Sequence, residues 1–265
     1  MFSKEHNNYL KKIKKHKIFI ISMQILIIVL FLLLWQYLTD KNLINIFITS
    51  SPKRIIKTII ELYKSNNLFK NIFITTYETF LSFSLGTIIG IIIASLLWWK
   101  KTVAEILDPY LTVLNSLPKI ALGPIIIIWV GAKMSSIITM ALLISVIVAI
   151  INIYQAFITT DTLKINMLKS FKANKKDIFF KLVLPSNLPE IMNVLKVNVS
   201  MSLIGVIMGE FLISKEGLGY LITYGSQVFN LDLVMTGIFI LCIIAMIMYF
   251  IINLTTNILL NYKIK

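Results

Sequence analysis

Long apolar runs dominate the chain, at residues 18–38, 72–99, 109–131, 134–157, 191–213 and 233–260. Each is long enough to carry a helix across the hydrocarbon of a bilayer, which takes about 20 mostly apolar residues. The pattern therefore predicts an all-α membrane protein with six transmembrane helices. The second and last runs exceed that minimum, so they tilt or project into water. Ahead of the first run lies a basic tail, residues 1–17, with Lys11, Lys12, Lys14, Lys15 and Lys17. A signal peptide has an apolar stretch of about 7–15 residues followed by a small-residue cleavage site. The run at 18–38 is longer and ends in Trp35-Gln36-Tyr37, so it reads as an uncleaved first span.

A polar linker, 39–71, separates this span from a core of residues 72–260. Within the linker, Ser51-Pro52 has the form of an N-cap followed by a first-turn proline. Ile55, Ile56, Ile59, Ile60 and Tyr63 then recur at helical spacing. A short interfacial helix packed on the surface is expected there.

Composition narrows the function. Charged residues make up 14% of the chain, apolar ones 57%, and the mean hydropathy is +0.85. A soluble domain carries about 25% charged residues. The net charge of +14 would suit a nucleic-acid binder, but the lysines cluster just outside the apolar runs, where a bilayer places them. The bilayer is the expected partner and nucleic acid is not. Cys242 is the one cysteine and falls within an apolar run, which excludes an internal disulfide and reads as packing. His6 and His16 are the only histidines, both in the tail. No paired carboxylates, metal-ligand spacing or phosphate-cradling glycine loop accompanies them, so neither catalysis nor a cofactor is expected. Any nucleotide hydrolysis must come from another chain.

Lysine and arginine in the connections set the orientation. With both termini in the cytoplasm, inside connections hold about twice as many basic residues as outside ones. Trp98-Trp99-Lys100-Lys101 adds an aromatic pair at headgroup depth with snorkelling lysines beyond it.

Several polar groups fall within or beside the runs. In NSLPKIALGP, Pro118, Gly123 and Pro124 interrupt the third run beside Lys119. Two readings stay open: a bent helix lining a pathway, or a kink satisfied by neighbouring helices with Lys119 snorkelling. In the fifth run, Asn198, Ser202, Gly205 and Gly209 form a stripe suited to close helix packing. Lys196 and Ser200 form a second line, either facing a cavity or, for Lys196, reaching the interface. Glu210 ends that run, and Gly217, Gly219 and Gly225 follow. A carboxylate there is costly in hydrocarbon, so Glu210 is expected to anchor a folded outer loop. Glu78 is expected to pack as a polar residue near the outer interface.

The loop 158–190 is lysine-rich and contains Pro185 and Pro189. Leu163, Met167 and Phe171 recur every fourth residue in a first helix, and Lys172-Ala173-Asn174 breaks it. Asp177 then opens a second helix whose apolar face is Ile178, Phe179, Leu182 and Val183. The prolines are expected to end that helix and turn the chain into the fifth span. Such a helix–turn–helix with exposed aromatics docks on headgroups or in a groove of a soluble partner.

SFKANKKDIFFKLVLPSNLPEI resembles the cytoplasmic loop signature of binding-protein-dependent ABC importer permeases. That signature runs Glu-Ala-Ala, three residues, Gly, then about nine residues to a branched aliphatic, any residue and Leu-Pro. GEFLISKEGLGYLI and DPYLTVLNSLPKIALGPIIIIWVG are similar to the nitrate, sulfonate and taurine branch, and the likeness covers about residues 50–258. The resemblance implies a type I ABC importer permease fold in a bacterial plasma membrane, working as a homodimer. It implies two ATP-binding cassette subunits on the cytoplasmic face and a solute-binding protein outside. Alternating access would move a small solute, an anion such as an alkylsulfonate, taurine or nitrate, or a thiamine or flavin precursor. The coupling turn carried onto this chain is Lys172, Ala173, Asn174, Lys175 and Lys176, flanked by Phe171, Ile178, Phe179, Leu184 and Pro185. Asn166, Leu168 and Lys172 replace the signature's glutamate, second alanine and glycine. Lysine resists the left-handed turn that glycine tolerates, so Asn174 is expected to take it over. From outside that family, the alternative is an ion-coupled secondary transporter or channel, which needs intramembrane carboxylates or inverted repeats.

Overall fold

A computed structural model of the protein describes residues 4–263, with side chains from 12 to 258. His6, the start of the basic tail and the C-terminal lysines Lys263 and Lys265 lie outside the described side chains. Among the described residues every regular element is helical. Five helices are long and apolar enough to cross a membrane: α1 (Lys4–Asp40), α3 (Asn67–Trp99), α6 (Met134–Ile158), α9 (Leu188–Ile213) and α11 (Leu231–Lys263).

The sixth expected span, 109–131, is not one helix. It is a pair, α4 (Lys101–Ser116) and α5 (Gly123–Val130), joined through a tight turn at Lys119–Leu122 and bent by 86°. Leu117 is extended (ψ 138°), as a residue before proline prefers, and Pro118 blocks continuation of α4. Gly123 and Pro124 do not interrupt a helix. They open α5, where proline's missing N–H costs nothing. The start of α4 escapes a hydropathy reading because Lys101, Glu105 and Asp108 occupy its first half.

Three helices form the centre, with α6 packed between α3 and α9. Small residues allow the close approach: Gly86 faces Ser145, Gly90 faces Ala149, Gly205 faces Ala141 and Gly209 faces Ile137. A Cβ added at Gly205 would lie 3.0 Å from the Ala141 Cβ and 3.1 Å from its nitrogen. The obstacle is backbone, which cannot rotate aside. Gly205→Ala is therefore expected to cost about 1–3 kcal/mol by overpacking, read as a lowered unfolding temperature of the purified protein. The stripe expected on the fifth span is this seam, with Asn198 and Ser202 buried beside the glycines. Asn198 donates to Thr87 Oγ1 at 2.8 Å.

The linker holds a helix, though Ile56, Ile60 and Tyr63 of its expected apolar face are exposed. In α2 (Pro52–Lys64), Ser51 caps the helix by accepting from Arg54 N, and Pro52 sits in the first turn. Ile55 is buried, while Ile59 and Leu62 pack on a cluster built from Leu68, Leu218, Leu221 and Leu233. Arg54 pairs with Asp232 at 3.2 Å, tying α2 to the start of α11. Most of α1 stands clear of this bundle, and none of its most apolar stretch is buried. Its last turn is held by Gln36 Oε1, which accepts from Lys53 N at 3.1 Å. Cys242 is exposed on the outside of the bundle instead of packed within it.

Candidate functional site

At one end of the bundle lies the elbow between α6 and α9. Asp161 caps α7 (Thr162–Ser170) by accepting from Leu163 N at 2.9 Å. The helix then closes with paired reverse bonds, Ala173 N to Leu168 O at 3.0 Å and Lys172 N to Lys169 O at 2.8 Å. That is a Schellman closure, and its left-handed position (φ 59°) is Lys172. The expectation for Asn174 is thus corrected: at φ −76° it is extended, and its side chain accepts from Asp177 N at 2.7 Å to start α8 (Lys175–Ile178). Lysine stands in the position that suits glycine because the two closing backbone bonds outweigh the steric cost. Lys172→Gly is expected to stabilise the elbow by about 1 kcal/mol. Asn174→Ala is expected to lose about 0.5–2 kcal/mol of capping. Thermal unfolding of the two variants, measured together, checks both signs.

Beyond α8 the backbone stays helical. A widened turn at Phe179–Val183 leads into Leu184–Ser186, so Pro185 does not end the helix as expected. The widening, with Leu184 N bonded to Phe179 O, precedes a proline whose ring would otherwise press on the preceding turn. Asn187 makes the junction to α9, donating to Thr160 Oγ1 at 2.7 Å and Val183 O at 2.8 Å. Pro189 falls in the first turn of α9.

The elbow has two apolar faces with different destinations. Ile178, Phe179 and Val183 turn inward. Phe179 packs its ring 5.0 Å from Trp98, 5.6 Å from Trp99 and 5.5 Å from Phe157. Phe179 is 3% exposed, so it is a core residue and not part of a docking surface. Lys175 lies over the Trp98 ring and donates to Trp99 O. Leu163, Met167 and Phe171 turn outward instead, at 77%, 57% and 75% exposure. Lys172, Asn174 and Lys176 are exposed beside them, and Ala173, Leu184 and Pro185 are half-buried. Lys181 pairs with Asp177 at 2.7 Å, and that hydrogen bond holds the Asp177 carboxyl below its ordinary range.

A second polar constellation occupies the opposite end. Glu210 is 1% exposed, and its Oε1 accepts from Thr75 Oγ1 at 2.6 Å while Oε2 accepts from Gly219 N at 2.6 Å. Thr75 Oγ1 accepts from Leu218 N at 2.8 Å, and Asn71 Oδ1 accepts from Gly217 N at 2.6 Å. Gly217 has φ +101° and ψ 168°, a region essentially closed to other residues. Glu210, Gly217 and Gly219 therefore come together around one buried carboxylate. The partners on α3 were not foreseen. Asn71, Thr75 and Glu78 recur at spacings of four and three, and Glu78 is buried against Glu210. The helical spacing of these three polar residues was the available signal.

Pro118 and Lys119 sit at the bend, where Lys119 Nζ donates to Asn115 O at 2.9 Å and closes the end of α4. Lys196 is half-buried, and exposed Ser200 lies one turn further along α9, its Oγ 3.5 Å from Lys196 O. Each of these pairs hydrogen-bonds within its own segment. Among the described residues no group of three or more His, Cys, Asp or Glu side chains could hold a metal ion.

A multi-span helical bundle with a broken span and an elbow of two short helices defines a multi-pass membrane protein. The chain belongs to the family described as binding-protein-dependent transport system inner membrane component, whose pattern matches residues 86–262. It is 28% identical to the formylaminopyrimidine transport permease protein of Halalkalibacterium halodurans, over 83% of this chain and 87% of that one. It is 20% identical to the taurine transport system permease protein of Escherichia coli, over 82% and 81%. A chain of the MetNI methionine ABC transporter, in an inward facing conformation, shares the fold: TM-score 0.64, 18% identity, 73% of this chain and 96% of that one.

Proposed function

We propose that this protein is the membrane-spanning subunit of an ATP-driven importer for a small solute. Two copies would form the pathway, with separate ATP-hydrolysing subunits at the elbow and a solute-binding protein at the opposite end. The elbow end would then be cytoplasmic, with both termini on that side, as the lysine distribution favours. The observation that carries the reading is the outward row Leu163, Met167 and Phe171 beside an inward row that fastens the same elbow to the bundle. A rigid, fastened element with an exposed apolar face is suited to relay the closure of a soluble partner to the spans.

The cargo classes supported by the relatives are a small sulfonate such as taurine, or an aminopyrimidine precursor. Uptake by vesicles that contain the assembled transporter and its binding protein tests the mechanism. ATP-dependent uptake that persists with a protonophore supports it. Uptake that needs no ATP and collapses with the proton gradient supports the ion-coupled alternative. Glu78 beside Glu210 is the observation that favours that alternative, since buried acidic residues in spans mark ion pathways. Glu210 is already occupied by Thr75 and Gly219, however, which favours a structural role.

A further inference from the structure

At the end opposite the elbow, α3, the start of α6 and the end of α9 enclose a cavity of about 560 Å³. Small-molecule pockets span about 300–1,000 Å³, so its size suits a ligand. Glu78 joins the wall from α3, Lys133 from the turn before α6, and Lys215 and Glu216 from the loop after α9. Ile74, Ile137 and Ile213 supply apolar surface between them.

The charges on this wall do not neutralise one another. Glu216 is paired with Lys70. Lys133 and Lys215 are exposed, and neither has an ion pair among the described residues. Glu78 is 2% exposed, and its Oε2 has no hydrogen-bond partner. Behind it stands Glu210, to which Glu78 is hydrogen-bonded. Two carboxyls in such contact hold one proton between them. Glu210 also accepts from Thr75 and Gly219, so it keeps the negative charge and Glu78 supplies the shared proton. The pair thus offers the cavity one net negative charge and, at Glu78 Oε2, an acceptor without a donor. A buried acceptor left in that state is costly. The last torsion of a glutamate is soft, so a donor arriving in the cavity can draw that oxygen to the wall.

We infer that this cavity binds a small zwitterion, its ammonium donating to Glu78 and its anionic head lying between Lys133 and Lys215. A solute with one pole is served badly here. A bare anion meets the charge of the acid pair, and a bare cation must approach past two unpaired lysines. Lysine acts as a point charge without the fixed fork of arginine, so a sulfonate and a carboxylate both fit as the anionic head. The inference rests on the permease reading above for the ligand's role as cargo. Within that reading it favours an amino sulfonate or an amino acid over an aminopyrimidine, which has no anionic head.

Saturation-transfer NMR on the purified full-length chain in lipid nanodiscs tests the site. Taurine and β-alanine are the zwitterionic probes, and ethanesulfonate and ethylamine carry one pole each. The tighter zwitterion should bind at least ~10-fold more tightly than either one-pole probe. Lys133→Ala and Lys215→Ala, both at exposed positions, should each weaken that zwitterion at least ~5-fold and leave ethylamine within about twofold. Glu78→Leu should weaken the zwitterion and spare ethanesulfonate. Glu78→Gln still donates to Glu210 and keeps an acceptor oxygen, so its affinity for the zwitterion should stay within ~3-fold of the unaltered chain. If Glu78→Leu does not fold, the lysine variants and Glu78→Gln decide the matter. Ethanesulfonate bound as tightly as the zwitterion, zwitterion binding unmoved by both lysine variants, or no zwitterion binding up to ~100 mM would overturn the site. Uptake of the same zwitterion by vesicles reports separately on the permease reading: binding without ATP-dependent uptake keeps the site and overturns its role in transport.

Discussion

Glu210→Leu is expected to destabilise the protein by about 2–6 kcal/mol, because it strands two buried donors at about 1–3 kcal/mol each. Those donors are the Thr75 hydroxyl and the Gly219 amide, and neither has water to turn to. Thr75 would lose its acceptor while still accepting from Leu218 N, so the damage would spread to the loop that α10 (Leu218–Gln227) follows. Glu210→Gln retains an acceptor oxygen and should cost nearer 1 kcal/mol. Glu78→Gln should cost less than Glu210→Leu, since glutamine still offers Glu210 a hydrogen-bonding group and strands neither the Thr75 hydroxyl nor the Gly219 amide. Thermal unfolding of the three purified variants gives the order. Limited proteolysis between Ser214 and Gly217 should report the loop loosened in Glu210→Leu alone. Equal effects from Glu210→Leu and Glu210→Gln would contradict the anchor.

The second large effect separates the two faces of the elbow. Phe171→Asp places a charge on a side chain that is already exposed, so stability should change by no more than about 0.5 kcal/mol. Binding of the ATP-hydrolysing subunit should nevertheless weaken by at least ~30-fold, the scale of an aromatic hot spot worth about 2 kcal/mol. Phe179→Asp inverts the outcome. It removes a ring that touches Trp98, Trp99 and Phe157, and it buries a carboxylate among them. Loss of roughly 3–5 kcal/mol is expected from the cavity alone, enough to prevent a folded preparation. Detergent-stable yield and subunit co-elution, scored on the same samples, tell docking loss from unfolding. Phe171→Asp that unfolds, or Phe179→Asp that stays folded and only loses the subunit, would reverse the assignment of the faces.

How much of this was legible in the sequence depended on what each residue's neighbours were. Spans α3, α6, α9 and α11 announce themselves because hydropathy is a local sum. The third span was misread because Lys101, Glu105 and Asp108 lie in a helix that is partly solvent-facing, and because an 86° bend is set by Leu117-Pro118 together with packing. Lys172 in a left-handed turn was unexpected, since local propensity disfavours it and only the closure bonds of α7 reveal why it holds. The two faces of the elbow were indistinguishable by composition: Phe171 and Phe179 differ in what lies across from them, and Trp98 is 81 positions away from Phe179 in the chain. Glu210 was read as a loop anchor from its cost in hydrocarbon. Its partners Asn71, Thr75 and Glu78 required a helix from a different part of the chain to be brought alongside.

The central claim is that this chain couples a soluble ATPase to a membrane pathway through the outward face of the elbow. The most direct measurement is mild-detergent purification of the tagged protein from its native membranes, alongside Phe171→Asp and Met167→Asp. The account predicts that an ATP-binding cassette ATPase co-elutes in stoichiometric amount with the unaltered chain and is lost from both variants, while each variant remains monodisperse with an unchanged unfolding temperature. An ATPase absent from the unaltered preparation, or retained in full by both variants, would contradict it.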